Sequence, residues 1–292
     1  MKLVRFRGPA GVRIGALVPG GVADLSALGC WSGDSMRALL DAGEPALAEV
    51  RRAVDAAPAR AIEPLEAVAL LAPIADPQKI IAVGQNYRDH CAEQNQPLPE
   101  RAILFAKFPS AITDPDAPIV LPRVSQQVDY EAELAFVIGR RGRHVAAQEA
   151  AAYIAGYTCL NDVSARDLQF ADKQWVRAKS FDTFAPLGPC LATPDEVGDP
   201  HALDISLELN GQTMQRSNTS NLIFGVYHLV EYISQAMTLE PGDVVTTGTP
   251  GGVGVFRDPP IFLKPGDTVR VTIQNIGTLA NPVVADRRAG RG

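Results

Sequence analysis

In the stretch DYEAELAFVIG (Asp129–Gly139), Tyr130, Ala132, Leu134, Phe136 and Ile138 fall at every second position. That is the period of a β-strand, and it sends Glu131, Glu133, Ala135 and Val137 to the opposite face. Two carboxylates therefore share one face of an otherwise apolar strand. If the face meets water they are simply solvated; if it is buried, two close like charges are costly without a cation between them. From Lys79 onward, short apolar runs of the same kind recur in KIIAVG, AILFAKF, IVLP and YIAGYTCLNDVS, and each predicts a strand. LDISLELNGQTMQ predicts a hairpin turning at Asn210–Gly211. Leu222, Ile223, Val226, Val230 and Ile233 mark the apolar stripe of an amphipathic helix, and Ser164 in SARDLQF is a candidate helix N-cap. PGDVVTTGTP and KPGDTVRVTIQNIGTLANPVV read as turn-plus-strand units.

The first 72 residues carry a different pattern. Alternation in LVRF and RIGALV predicts strands, while DSMRALLDAGEPALAEVRRAVDAA predicts two short helices broken near Gly43–Pro45. A proline-rich connection follows. This predicts a small α/β N-terminal domain (1–72), a strand-rich catalytic domain (73–285) and a disordered tail (286–292). Strands dominate without regular βαβ alternation, so the fold class is α+β, a mixed β-roll, and not a doubly wound sheet.

Composition narrows the function. The chain has 292 residues, 46% hydrophobic and 21% charged, enough apolar material for a sizeable core. A net charge of −6 argues against general nucleic-acid binding. No apolar run is long enough to span a membrane, and the opening residues read as strand and turn, so neither a membrane anchor nor a secretion signal is expected. Cys30, Cys91, Cys159 and Cys190 are widely spaced with no C-x-x-C pair, which places the chain by default in a reducing, cytoplasmic compartment. No G-x-G-x-x-G follows a strand and opens a helix, which excludes a dinucleotide-dependent dehydrogenase.

The candidate chemistry lies beyond residue 79. Asp162 ends the strand YTCLND; if this strand pairs with the one bearing Glu131 and Glu133, three carboxylates converge. An all-oxygen set with room for water suits Mg²⁺, with Mn²⁺ as a substitute. E-x-E alone fits an exposed edge strand equally well. In GQNYRDHCAEQ, His90 and Glu93 are three apart, so one helical turn sets them side by side as an oriented general base, or leaves an ordinary surface histidine. Lys179 in RAKSFDTFAPLGP, with Lys107 and Arg166, adds cations at strand ends that could hold a carboxylate or enolate oxygen, or form salt bridges. VVTTGTPGGVG lacks the lysine of a phosphate loop; its hydroxyls and backbone N–H groups suit a small anionic pocket or a tight turn.

In order, GQNYRDH, FAKFPS, DYEAELAFVIG, NDVSARDLQ, AKSFDTFAPLGP, TSNLIF and GDVVTTGTPGGVG closely resemble the fumarylacetoacetate hydrolase family, specifically its shorter bacterial and mitochondrial branch. The resemblance implies a β-roll catalytic domain, a divalent metal on Glu131, Glu133 and Asp162, and a homodimer. It implies a His90–Glu93 dyad on a mobile lid, a catalytic Lys179, and substrate contacts at Lys107, Arg166, Gln169 and Thr249. A further aspartate ligand of the longer enzyme that names the family falls on Asn86. The expected substrate is a small 2-oxo or 2,4-dioxo carboxylic acid. The expected reaction is metal-dependent hydrolysis of a C–C bond in an acylpyruvate, with His90 activating water. Oxaloacetate-type decarboxylation, keto–enol or double-bond isomerisation of a hydroxymuconate, and ureidoglycolate lysis are the alternatives from the same site. A non-catalytic scaffold would have lost ligands or dyad, and none is missing.

Overall fold

A computed structural model describes residues 1–286. Its centre is the strand Ala132–Ile138, buried at every position. Antiparallel neighbours flank it: Ile154–Asn161, with Ala132 opposite Asn161, and Val244–Thr246, with Phe136 opposite Val245. The sheet continues through Val244–Thr246 to Ile80–Gly84 and Ile103–Lys107 on one side, and through Ala185–Ala192 on the other. A second sheet orders Gln212–Asn218, Asp204–Leu209, Thr268–Ile273, Gly277–Ala285 and Ile119–Leu121.

The alternation in DYEAELAFVIG sorts its side chains between two cores. Tyr130, Ala132, Leu134, Phe136 and Ile138 join a core shared with the second sheet (Leu207, Val271) and the helix Val226–Ala236 (Leu229, Val230). Ala135 and Val137 join another, formed with Leu3, Ile14, Met36 and Leu39 of the first 72 residues. Glu131 and Glu133 precede Ala135 on this second face, at the end of the strand. The strand is thus central and covered on both sides, which removes the exposed-edge reading.

The N-terminal segment supplies that cover. Its strands Lys2–Gly8, Gly11–Val18 and Gly21–Asp24 extend the main sheet, with Leu3 opposite Leu191. The helices Met36–Asp41 and Gly43–Asp55 fall where the sequence places them. One continuous sheet therefore crosses the 72/73 boundary. Asp286, which the sequence assigns to the tail, donates its N–H to Leu121 O at 3.2 Å and pairs with Arg123; the rest of the tail lies outside the described residues.

Two local expectations change. Ser164 does not cap a helix: its hydroxyl donates to Asp162 O at 2.9 Å, and the helix Arg166–Asp172 begins after Ala165 with no side-chain cap. The amphipathic helix starts at Val226, not Leu222, because Ile223 and Phe224 are bound to the Asn86 segment instead. The Asn210–Gly211 hairpin forms as expected, both residues at positive φ (53° and 80°). Among the described residues no helix is long and apolar enough to cross a membrane, and the four cysteines are free thiols.

Candidate active site

Pairing of Ala132–Ile138 with Ile154–Asn161 brings the end of one strand to the end of the other, and Asp162 N donates to Glu131 O at 2.9 Å. One carboxylate oxygen from each of Glu131, Glu133 and Asp162 then lies within 4.8 Å of the others. All three residues are at most 5% exposed, so their charge must be met inside the protein.

Lys179 meets most of it. Its Nζ donates to Glu131 Oε2 and Asp162 Oδ2, each at 2.7 Å. Lys107 donates to the other oxygen of Asp162 at 2.6 Å and to the carbonyls of Val163 and Lys179. Arg166 Nη2 stands 2.7 Å from Glu131 Oε1, an ion pair whose angle is poor for a hydrogen bond, while its Nε donates to Asp129 at 2.9 Å. The consequences differ by group. Burial alone would raise Glu131, but Lys179 and Arg166 hold its carboxyl down at about 2. Burial, with Asp162 and Glu131 beside it, pushes Glu133 well above the usual carboxylate range. Burial lowers Lys107 despite Asp162, whereas in Lys179 the pull of Asp162 and Glu131 overcomes burial.

Glu133 makes no ion pair among the described residues; its Oε2 accepts the Gly248 N–H at 2.8 Å. Three hard oxygen donors with one carboxylate left without a cation fit a divalent ion of the Mg²⁺ or Mn²⁺ kind.

The helix Arg88–Glu93 lays His90 against this cluster. His90 Nδ1 and Glu93 Oε1 are 2.7 Å apart, and Glu93 Oε2 accepts the Gly252 N–H at 2.7 Å. Asp89 fastens the same helix: its Oδ2 accepts from Ser217 Oγ at 2.5 Å, and its Oδ1 receives the Gly251 N–H at 3.4 Å. A cavity of about 180 Å³ joins these parts, lined by His90, Glu131, Glu133, Arg166, Lys179 and Thr249. Gln169 is part of the wall and accepts from Arg166 Nη1 at 2.9 Å.

Three further positions are held by buried partners. Lys107 is 1% exposed, is not among the residues that line the cavity, and donates to Asp162, so the contact it makes here is to a carboxylate of the cluster. The Thr249 hydroxyl donates its proton to Ala132 O at 2.9 Å and accepts from Gln215 at 2.8 Å, so toward a ligand it has an acceptor lone pair and no donor. Asn86 does not reach the carboxylates as a ligand: its carboxamide brackets Phe224 N, Phe224 O and Thr247 O.

The sequence reading overlooks Asp129, whose carboxylate accepts from Arg166 Nε and from the N–H groups of Gly254, Val255 and Tyr130. Glycine is required at 254, since a Cβ there would lie 1.9 Å from Ile261 O and 2.6 Å from Asp129 Oδ1. Its adjacency to the E-x-E pair was the available signal. Also overlooked are the aromatic walls Phe105, Trp175 and Phe256, which carry no motif.

Comparison with known proteins agrees with this geometry. The profile for the fumarylacetoacetate (FAA) hydrolase C-terminal region matches residues 79–284. Mitochondrial oxaloacetate tautomerase FAHD2A of Bos taurus is 48% identical over 290 residues, covering 97% of this chain and 92% of that protein. Among solved structures, 5-carboxymethyl-2-hydroxymuconate delta-isomerase from Mycobacterium smegmatis superposes with a TM-score of 0.79 at 41% identity, covering 99% of this chain and all of that one. Maleylpyruvate hydrolase from Sphingobium sp. SYK-6, in complex with manganese(II) and pyruvate, gives 0.83 at 33% identity, covering 98% and 100%. The chain is a member of the fumarylacetoacetate hydrolase family.

Proposed function

We propose that this enzyme interconverts the keto and enol forms of a small 2-oxo acid of the oxaloacetate class, using a divalent metal on Glu131, Glu133 and Asp162. The observation that carries the reading is the oriented His90–Glu93 pair in one small cavity with the acidic trio and Lys179. Mg²⁺ or Mn²⁺ there would supply Lewis-acid polarisation of the 2-oxo oxygen. Glu93 occupies His90 Nδ1, which leaves Nε2 to take a proton from C3 of the keto form while the 2-oxygen gains one from solvent, and in reverse to return a proton to C3 as the enol oxygen releases its own. Two N–H groups of Lys179 are used by Glu131 and Asp162; the third is left for the oxygen on which negative charge develops. Arg166, anchored by Asp129, adds fixed positive charge for a substrate carboxylate.

The 48% identity to an oxaloacetate tautomerase supports tautomerisation ahead of the C–C hydrolysis that the sequence put first. Hydrolysis is the second reading, because the same dyad can activate water and a 33% identical relative is a maleylpyruvate hydrolase. The test follows enol-oxaloacetate by its ultraviolet absorbance with Mg²⁺, beside an acylpyruvate assayed for pyruvate release. Faster loss of the enol, abolished in His90→Ala, is expected; release of pyruvate from the acylpyruvate without any tautomerisation would reverse the two readings. The homodimer implied by the family resemblance belongs to the same proposal and is checked by sedimentation. Free thiols suit the cytoplasm, and equally the mitochondrial location that the bovine relative's name carries.

A further inference from the structure

The cavity's outer wall is built around one indole. A Cβ placed on Gly84 would lie 2.5 Å from Trp175 Cζ3 and 3.0 Å from Cη2, so the ring rests directly on a residue that has to lack a side chain. Phe105 supports it edge-on, with ring centroids 5.2 Å apart at 75°, and Lys179 Nζ lies 5.2 Å from the centroid of Phe105. Phe105 thus touches both the cation that holds the carboxylates and the indole, and all three side chains line the cavity together with Gly84.

Charge is confined to the inner end. The permanent cations of the lining, Lys179 and Arg166, are both engaged by buried carboxylates. A tail that passes Phe105 meets aromatic surface with no cation to receive a second carboxylate, which is costly to bury there. The cavity of about 180 Å³ is also well below the roughly 300–1,000 Å³ of drug-sized sites.

From this wall we infer that Trp175, seated on Gly84, is the specificity-determining residue that ends the substrate's tail. The enzyme then accepts short 2-oxo acids, whose charged groups stay near Lys179 and Arg166, and rejects long-chain dioates. This deepens the 2-oxo acid reading above and rests on it.

The experiment measures binding of pyruvate, 2-oxobutyrate, 2-oxohexanoate and 2-oxooctanoate to the Mg²⁺-loaded protein by calorimetry. The unsubstituted protein should bind the short acids and lose affinity as the tail outgrows the wall. Relative to its own binding of pyruvate, Trp175→Ala should move the cut-off to longer tails, with up to about fourfold tighter binding per newly buried methylene. Trp175→Phe should fall between them, and serves if the alanine variant does not fold. In parallel, Gly84→Ala should lower Tm, and Gly84→Ala combined with Trp175→Ala should recover that loss. Unchanged chain-length profiles in both Trp175 variants, with pyruvate still bound, would overturn this inference alone; so would an equal Tm loss from Gly84→Ala in both backgrounds. If the unsubstituted protein binds none of the four acids, the 2-oxo acid reading falls, and this inference with it.

Discussion

At and beneath the inner end of the cavity, the buried carboxylates of Asp129, Glu131, Glu133 and Asp162 face the buried cations Lys107, Arg166 and Lys179. At the outer end stand Phe105, Trp175 and Phe256 with the carboxamides of Gln85 and Gln94, and no ion pair links these residues. The inner groups are mutually dependent, because removing one leaves a partner charged and unpaired in a dry interior. The outer groups meet a ligand mainly through shape. On the function proposed above, the chemistry belongs to the strand ends at the sheet's centre and the choice of substrate tail to the aromatic wall. The three relatives, a tautomerase, an isomerase and a hydrolase, fit that division of labour.

The largest effect should come from the inner end. Chelation of the metal, or Asp162→Ala, is expected to lower turnover by about 10³-fold or more, since several kcal/mol of charge stabilisation go with the ion. Metal titration of the variant checks the cause, and full activity with chelator present would break the contrast outright. His90→Ala should cost ~10²–10³-fold in kcat with little change in ligand affinity, as for a lost proton-transfer group. Steady-state kinetics would read this as a fall in kcat at near-constant KM; a change in KM alone would make His90 a binding residue. Lys107→Met sharpens the comparison, because this cation never touches the cavity. It should cost about 3 kcal/mol of stability in urea unfolding, by stranding Asp162, and ~10–100-fold in metal affinity. The smallest effect belongs outside: Phe256→Ala, which removes a ring 6.1 Å from that of His90, should change kcat/KM less than about tenfold. A loss comparable with Asp162→Ala would erase the distinction between the two ends.

Much of the inner end was legible because strand periodicity is local. The alternation from Tyr130 to Ile138 placed Glu131 and Glu133 together, and the NDVS sequence placed Asp162 at the close of the neighbouring strand. Three residues apart on one turn, His90 and Glu93 were readable for the same reason. What escaped depends on contacts between distant segments. Asp129 acts by receiving Gly254 N–H from 125 positions away, and Asn86 by binding Phe224 from 138 away. Lys107 was read as a cation at a strand end, but which side of Asp162 it approaches is decided by the pairing of Ile103–Lys107 with Ile80–Gly84, not by its neighbours in sequence. The Trp175 wall left no pattern at all, since it exists only where an indole settles on a glycine ninety-one positions earlier in the chain.

Glu93 divides its two oxygens between His90 and the backbone of Gly252. The bond that aims the imidazole and the bond that fastens the helix Arg88–Glu93 to the glycine-rich segment thus share a single carboxylate. Any excursion that carries this helix away from Gly252 also removes the anchor that keeps Glu93 aimed at the ring. The two duties are thereby interlocked, as in a guarded machine that runs only with its guard shut. In the proposed reaction, an enol would then meet bulk water only after His90 had lost the bond that aims it.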